Sequence, residues 1–573
     1  MRIFWSVAAA WLCVSVIAAA QEPTSPALVG YRNHEDFSAA VKKLDDSDLA
    51  EVVSLGKSAG GRDVWLITIG KDKDKKPALA VVGNVQGSHL SGGELALRMA
   101  EQLIVNADKD EVKKLLEQVT LYIIPRPDPD GSEKCFARPF RVPAGNDRKT
   151  DDDRDFAFGE DPPNDLNGDG FITQMRIEDP AGTLMPHPDD PRVLITADPK
   201  KNERGKYRIL SEGIDDDHDE QWNEDAGDGV AFDRNFTFNY KPFTPNTGPN
   251  AVSEPECRAV ADFFFDHPHI AAVFTFSLDD NLFHTWKPNS QTEKERIKKN
   301  ILGSDATAAD FIAETYRKIH GGSDAPSPPD GHGQFSRWSY FHFGRWSLNA
   351  RSWWVPKSEA KKEEAKDDDK DEAKKDDPKK EEKKSSGEKR GSEQINLLNW
   401  LAANKIDGFV AWKEIKHPDF PNQKVEVGGF KPLVDLNPPA AELDKLAEKH
   451  VTFLQKLPDF LPKLELREFS AEALGGGVYR VKVTVANSGY LPTMPEMGSV
   501  NGIPYPLQVE LQVPKDTVFV QGSPRSEINR LAGVTGKSER TWLIRLPGDG
   551  KLPEGFEFKV RAWAPAVGEA VAK

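Results

Sequence analysis

Cysteine is nearly absent from this chain: its 573 residues hold 3, and one of them, Cys13, falls in an apolar N-terminal run. The two others, Cys135 and Cys257, are too few for a disulfide framework, so stability has to come from buried apolar surface. The sequence leaves open whether they pair. Long apolar runs are missing beyond the N-terminus, and the run there, Ile3 to Ile17 behind Met1-Arg2, is shorter than the roughly 20 residues that cross a bilayer. Followed by Ala18-Ala19-Ala20 and Gln21, it reads as a signal peptide over residues 1–20, which implies a secreted or periplasmic protein with no membrane span. An excess of positive charge is also lacking: 76 Lys and Arg face 92 Asp and Glu, for a formal net charge of -16, which argues against a nucleic-acid partner.

What is present is enough apolar residue for two or three domains, at 38% of the chain. From Pro77 onward, apolar strands alternate with amphipathic helices, the pattern of an α/β fold whose mixed sheet is flanked by helices. Strands are expected at Ala78 to Val85, Val119 to Ile124, Ile270 to Leu278 and Trp346 to Val355, all in one sheet. Helices are expected at Ser91 to Val105, with Ser91 as its cap, and at Glu254 to Phe265. Residues 27–439 form this first domain, interrupted by an acidic loop insertion at 144–230 and by a Lys/Glu/Asp-rich insertion at 357–394 that cannot bury a core and reads as disordered. A linker helix occupies 440–462. Period-two segments from Leu464 to Trp563 then predict an antiparallel β-sandwich over 463–573, to which no catalysis is assigned.

Three passages carry chemistry. They are Val82-Gly83-Asn84-Val85-Gln86-Gly87-Ser88-His89, followed by a helix containing Glu94; Pro125-Arg126-Pro127-Asp128-Pro129-Asp130-Gly131; and Asp233-Arg234-Asn235-Phe236, continuing through Gly248-Pro249 and Ser253-Glu254-Pro255-Glu256 into the third strand. In order and spacing they resemble zinc metallocarboxypeptidases of the carboxypeptidase A type. Phe335 to Tyr340, Gly344 and Ser347 to Arg351 resemble that family's last active-site strand, and His417-Pro418 and Val425 to Phe430 extend the likeness. The resemblance implies a peptidase, a hydrolase that releases C-terminal residues by zinc-dependent proteolysis.

Residue by residue, the implied site is altered. The family holds zinc with His and Glu three residues apart and a second His on a later strand; here Gln86, His89 and Ser277 take those places, and no carboxylate remains to offset the dication. The family's general base, a Glu on the last strand, corresponds to Arg351, which cannot accept a proton at working pH. A guanidinium about 5 Å from a dication costs roughly 6 to 7 kcal/mol at an effective dielectric near 20. The carboxylate-gripping Asn-Arg pair corresponds to Asp233-Arg234. Arg141 is a candidate for the arginine that polarises the scissile carbonyl, and Pro329 falls near the place of the family's mobile Tyr.

The resemblance therefore points to a pseudoenzyme that binds peptide C-termini or other carboxylates, with zinc lost and Arg351 in its space, paired with Asp233 or gripping an anion beside Arg234. The alternatives are an active metallocarboxypeptidase with altered ligands, using His89 with His284, Asp279 or Asp280, and an extracytoplasmic scaffold. Three acidic stretches are candidate calcium loops, because carboxylates at alternate positions can converge on a hard cation: Asp151, Asp153 and Asp155; Asp165, Asn167 and Asp169; and Asp215, Asp217 and Asp219.

Overall fold

The computed structural model describes residues 24–71, 76–151, 158–218, 220, 222–223, 229–357 and 390–573. The expected signal peptide, most of the charged insertion, and Asp153, Asp155 and Asp219 lie outside them.

The chain enters through α1 (His34–Lys42) and an antiparallel pair, β1 (Ala50–Lys57) and β2 (Asp63–Ile69). Next come β3 (Ala78–Val82), α2 (Leu90–Val105), α3 (Asp110–Gln118), β4 (Thr120–Ile124) and α4 (Pro129–Lys134). An excursion builds β5 (Gln174–Glu178), β6 (Leu184–Pro186), β7 (Leu194–Thr196) and β8 (Tyr207–Ser211). The chain returns through α5 (Pro255–Asp266), β9 (Ile270–Phe276), α6 (Gly303–His320), α7 (Phe335–Phe341) and β10 (Trp346–Ala350). The first sheet runs β1-β2-β4-β3-β9-β10, and its four C-terminal-side members, β4, β3, β9 and β10, are mutually parallel.

Period-two burial explains the layering. On β3, Leu79 and Val81 join the core under α2, while Ala78, Ala80 and Val82 join the core under α5. Both faces of the sheet are thus covered, as parallel strands require. α2 starts one residue before its expected cap. His89 holds the N-cap position without a side-chain bond, and Ser91 instead spends its hydroxyl on Ser352 Oγ at 2.8 Å.

The excursion is more than a loop. After α8 (Ser392–Ala403), strands β11 (Phe409–Ile415) and β12 (Val425–Phe430) return to it, giving a second sheet in the order β11-β12-β5-β8-β6-β7. Its core, with Met175, Ile177, Val425 and Val427, is small and drawn from segments about 250 residues apart, so no local period announces it. α8 also begins inside the stretch expected to be disordered.

α9 (Leu443–Phe460) packs on α2, where Arg98 Nη1 meets Asp444 Oδ1 at 2.7 Å, and leads to two four-stranded antiparallel sheets. One comprises β13 (Leu464–Gly475), β14 (Val478–Asn487), β16 (Val518–Gln521) and β18 (Lys537–Arg545). The other comprises β15 (Leu507–Gln512), β17 (Arg525–Ile528), β19 (Lys559–Ala564) and β20 (Gly568–Ala572). They face each other over a core that includes Val483, Val509, Trp542 and Val560, so the C-terminal β-sandwich is present. Cys135 and Cys257 are buried as separate thiols.

Candidate functional site

Parallel strands bring their C-terminal ends to one edge, where α/β folds place their ligands. Here that edge gathers Gly83 to His89 after β3, Pro125 to Gly131 after β4, Ser277 to Asp280 after β9 and Arg351-Ser352 after β10. Glycine lets the first two segments touch: a Cβ on Gly87 would lie 2.7 Å from the Gly131 backbone. Asn84 turns the chain in the left-handed region at φ 47° and donates from Nδ2 to the carbonyls of Gln86 and Gly87.

Gln86, His89 and Ser277 line a single small cavity of about 190 Å³ with Gly92, Phe276, Leu278 and Ser352. Around it every carboxylate is already engaged. Asp233 is buried; its Oδ2 accepts from Gln86 Nε2 at 2.6 Å and its Oδ1 from the Phe335 N–H at 2.9 Å, and burial pushes its pKa up to about 8. Asp279 takes two bonds of 2.7 Å from Arg337, one of 2.8 Å from Ser336 Oγ and one of 3.3 Å from Trp286 Nε1. Arg337 lies 4.2 Å over the Trp286 ring. Asp280 accepts from the N–H groups of Leu282, Phe283 and Arg351.

Arg351 is placed differently from the expectation. It does not pair with Asp233, which Gln86 occupies. Its Nε is buried with no partner, and it forms no ion pair among the described residues. Its charge acts on two neighbours, drawing the Asp280 carboxyl down against the dominant upward push of burial, and helping burial lower His89 to about 4. Arg234 is exposed, with Nη1 on the Pro245 carbonyl at 2.9 Å. Arg141 sits beyond the bridge between Phe140 and Phe171.

This donor set does not fit zinc. It offers one imidazole, one hydroxyl and one amide oxygen, with no anionic ligand, beside a guanidinium that forms no ion pair among the described residues. Nor do the alternative ligands assemble: His284 Nε2 is spent on the Ala325 carbonyl at 2.8 Å and Asp279 on Arg337. Among the described residues no group of three His, Cys, Asp or Glu side chains is arranged to hold a metal. In the second acidic stretch, Asp165 accepts from the N–H groups of Gly168, Asp169 and Gly170, while Asn167 and Asp169 cap N–H groups two residues on. Asp215 accepts from the Glu220 N–H, and of the first stretch only Asp151 is described.

The sequence reading missed a set of buried acids behind the site. Asp130 accepts from Ser58 Oγ, the Gly60 N–H and Arg62, while Glu254 and Glu256 share the Asn146 amide. Burial raises Asp128 to about 7 and Glu256 to about 8. Asp233, Asp128 and Glu256 are thus protonated in the fold at pH values where the unfolded chain is ionised. Their stabilisation is complete below the ordinary carboxyl pKa near 4 and is lost as pH rises through about 7 to 8. The histidines with shifts, including His89 and His320 at about 4, are all lowered, so their effect lies below pH ~6.5. The urea midpoint is therefore expected to fall between pH 6.5 and 8. Asp233→Asn should remove part of that slope, about 1.4 kcal/mol per pH unit at most for one group. A flat profile over this interval would contradict the protonated acids.

Residues 38–172 match the zinc carboxypeptidase family, and residues 463–573 match a domain of unknown function, DUF8731. Carboxypeptidase SOL1 of Arabidopsis thaliana is 35% identical over 121 residues, 20% of this chain and 25% of that protein. Carboxypeptidase M of Mus musculus is 29% identical over 110 residues, 18% of this chain and 25% of its own. The chain spans about a quarter of the length of these relatives. The crystal structure of carboxypeptidase A from Helicoverpa armigera aligns at a TM-score of 0.35 and 14% identity, covering 58% of this chain and 66% of that one. The matched segment holds Gln86 and His89 at the end of β3, in order and spacing with the Pro125 to Gly131 turn, so residues 38–172 of this chain are similar to the zinc carboxypeptidase family.

Proposed function

We propose that this chain is a carboxypeptidase-like protein without peptidase activity that holds the terminal carboxylate of a peptide, or another small carboxylate, beside the end of β10. The observation that supports the reading is Arg351, a guanidinium at the strand position of the family's base, with its buried Nε unpartnered and no ion pair among the described residues. Burial lowers its pKa, Asp280 offsets its charge only through space, and a cation so placed gains from a directly paired anion. A carboxylate supplies the charge and a matching two-oxygen acceptor, which a guanidinium binds in bidentate fashion. Asp233, held protonated by burial, does not repel such a ligand, and Arg234 follows it in sequence.

Peptides with a free C-terminus are expected to bind at least about tenfold more tightly than amidated ones, the order of one charge-assisted contact. Arg351→Met should erase that difference. Equal affinity of the wild-type protein for both peptides removes the proposal. Export belongs to the same reading, and a mature chain beginning at Gln21 in N-terminal sequencing is its expected signature.

A further inference from the structure

Helix α7 is gripped at both ends. At its start the Phe335 N–H donates to Asp233 Oδ1 at 2.9 Å, and Ser336 Oγ and Arg337 donate to Asp279, so three successive residues secure two of the carboxyl groups around the site cavity. At its other end the last carbonyls of the helix have no intrahelical partner. Those of Phe341 and His342 accept instead from one side-chain amide, Asn501 Nδ2, at 3.2 and 3.3 Å. Asn501 closes α10 (Glu496–Asn501), a short helix between β14 and β15 and therefore part of the C-terminal region. With only 7 residues, α7 is too short to hold its own place, and its position is set by what grips its ends.

Three further contacts tie α10 to α7. Backbone meets backbone at Gly344, in the left-handed region at φ 72°: a Cβ there would lie 2.9 Å from Gly498 Cα, and a Cβ on Gly498 would lie 2.7 Å from the Gly344 carbonyl oxygen. Asp305 of α6, fully buried, accepts from the Tyr340 hydroxyl of α7 at 2.7 Å and from the N–H groups of Glu496 and Met497 of α10 at 2.8 and 3.1 Å. One carboxyl thus satisfies the first turn of α10 and fastens it to α7. The Met497 side chain joins an apolar cluster with Trp286, Tyr340 and Phe341. Trp286 is the ring on which Arg337 stacks, and its Nε1 donates to Asp279.

We propose that the C-terminal region serves the site as a positioning module: α10 fixes one end of α7, and α7 holds Phe335, Ser336 and Arg337 on Asp233 and Asp279. Asp233 in turn holds Gln86 on the cavity wall, so the placement of α10 reaches the site through one helix. This role does not depend on what the site binds. A helix that merely fastened the two regions together would leave the far end of α7 unaffected.

The test is amide hydrogen exchange of the folded full chain without ligand, read at Phe335 and, as an internal reference, at Val81 of β3. Asn501→Asp keeps the size of the side chain but removes the donor to the two carbonyls; Met497→Ala loosens the apolar cluster and leaves those bonds in place. Each is expected to speed exchange of the Phe335 amide by about tenfold, the order of one lost hydrogen bond, with Val81 unchanged. Val520→Ser, an exposed change in β16 of the same region, should alter neither. Faster exchange confined to His342 and Phe343, acceleration shared equally by Val81, or an equal effect of Val520→Ser would each overturn the assignment.

Discussion

A chain carrying Gln86→His, His89→Glu, Ser277→His and Arg351→Glu together is expected to take up about one zinc ion, whereas each single change takes up none. The reason is geometric and electrostatic. Gln86, His89 and Ser277 already line one cavity, so ligands placed there converge without moving the backbone. Zinc needs three strong donors with an anionic one among them, and no single variant offers more than two. Arg351 adds a separate obstacle, since its charge reaches far enough to depress His89. Its guanidinium has to be removed before a dication is tolerated. Gln86→His also frees Asp233 from its 2.6 Å bond, leaving a carboxyl that the imidazole can meet with its second nitrogen. Peptidase activity in the combined variant should be weak at best, because Asp233 still stands where the family grips the substrate with Asn. Zinc uptake by any single variant would show that the missing ligands do not act together.

Arg337→Met is expected to cost about 3 to 5 kcal/mol of stability, the usual penalty for removing one partner of a buried ion pair. Asp279 is 1% exposed, and two of its four bonds come from that guanidinium. Left with only Ser336 Oγ and Trp286 Nε1, the carboxylate would remain buried and undercompensated, and the stacking of Arg337 on Trp286 would be lost as well. Pairing the change with Asp279→Asn should recover part of the loss, since the amide needs no counter-charge. A denaturant double-mutant cycle measures that coupling. Additive single effects would mean that the pair is not the structural unit described here.

Much of the first sheet was legible in the sequence because its strands are short, continuously apolar and separated by helices of clear period. The strands at 78, 120, 270 and 346 were found within a few residues. β1 was missed because none of its residues is fully buried, whereas β2, with the run Val64 to Ile69, was legible and went unread. The second sheet was missed because its strands are drawn from distant parts of the chain and bury only a handful of side chains.

At the site, motif spacing places Gln86, His89 and Ser277 at neighbouring strand ends, and the three line one cavity, but it could not reveal which partner each polar group would choose. Asp233 took Gln86 rather than Arg351, and Asp279 took Arg337, two residues past Phe335 in a passage read only for its resemblance. Those choices depend on side-chain reach across loops, which sequence separation does not encode. The buried carboxyls at 128 and 256 lay inside quoted motifs, yet nothing local marks them as protonated, since their shifts arise from burial.

The central claim is that Arg351 and its neighbours hold a carboxylate and not a metal. It is tested most directly by stripping the wild-type protein with chelator, incubating it with zinc, removing the excess, and measuring both metal content and release of C-terminal residues from peptides. The expected result is no retained zinc and no release. Stoichiometric zinc together with release that Arg351→Ala abolishes would contradict it.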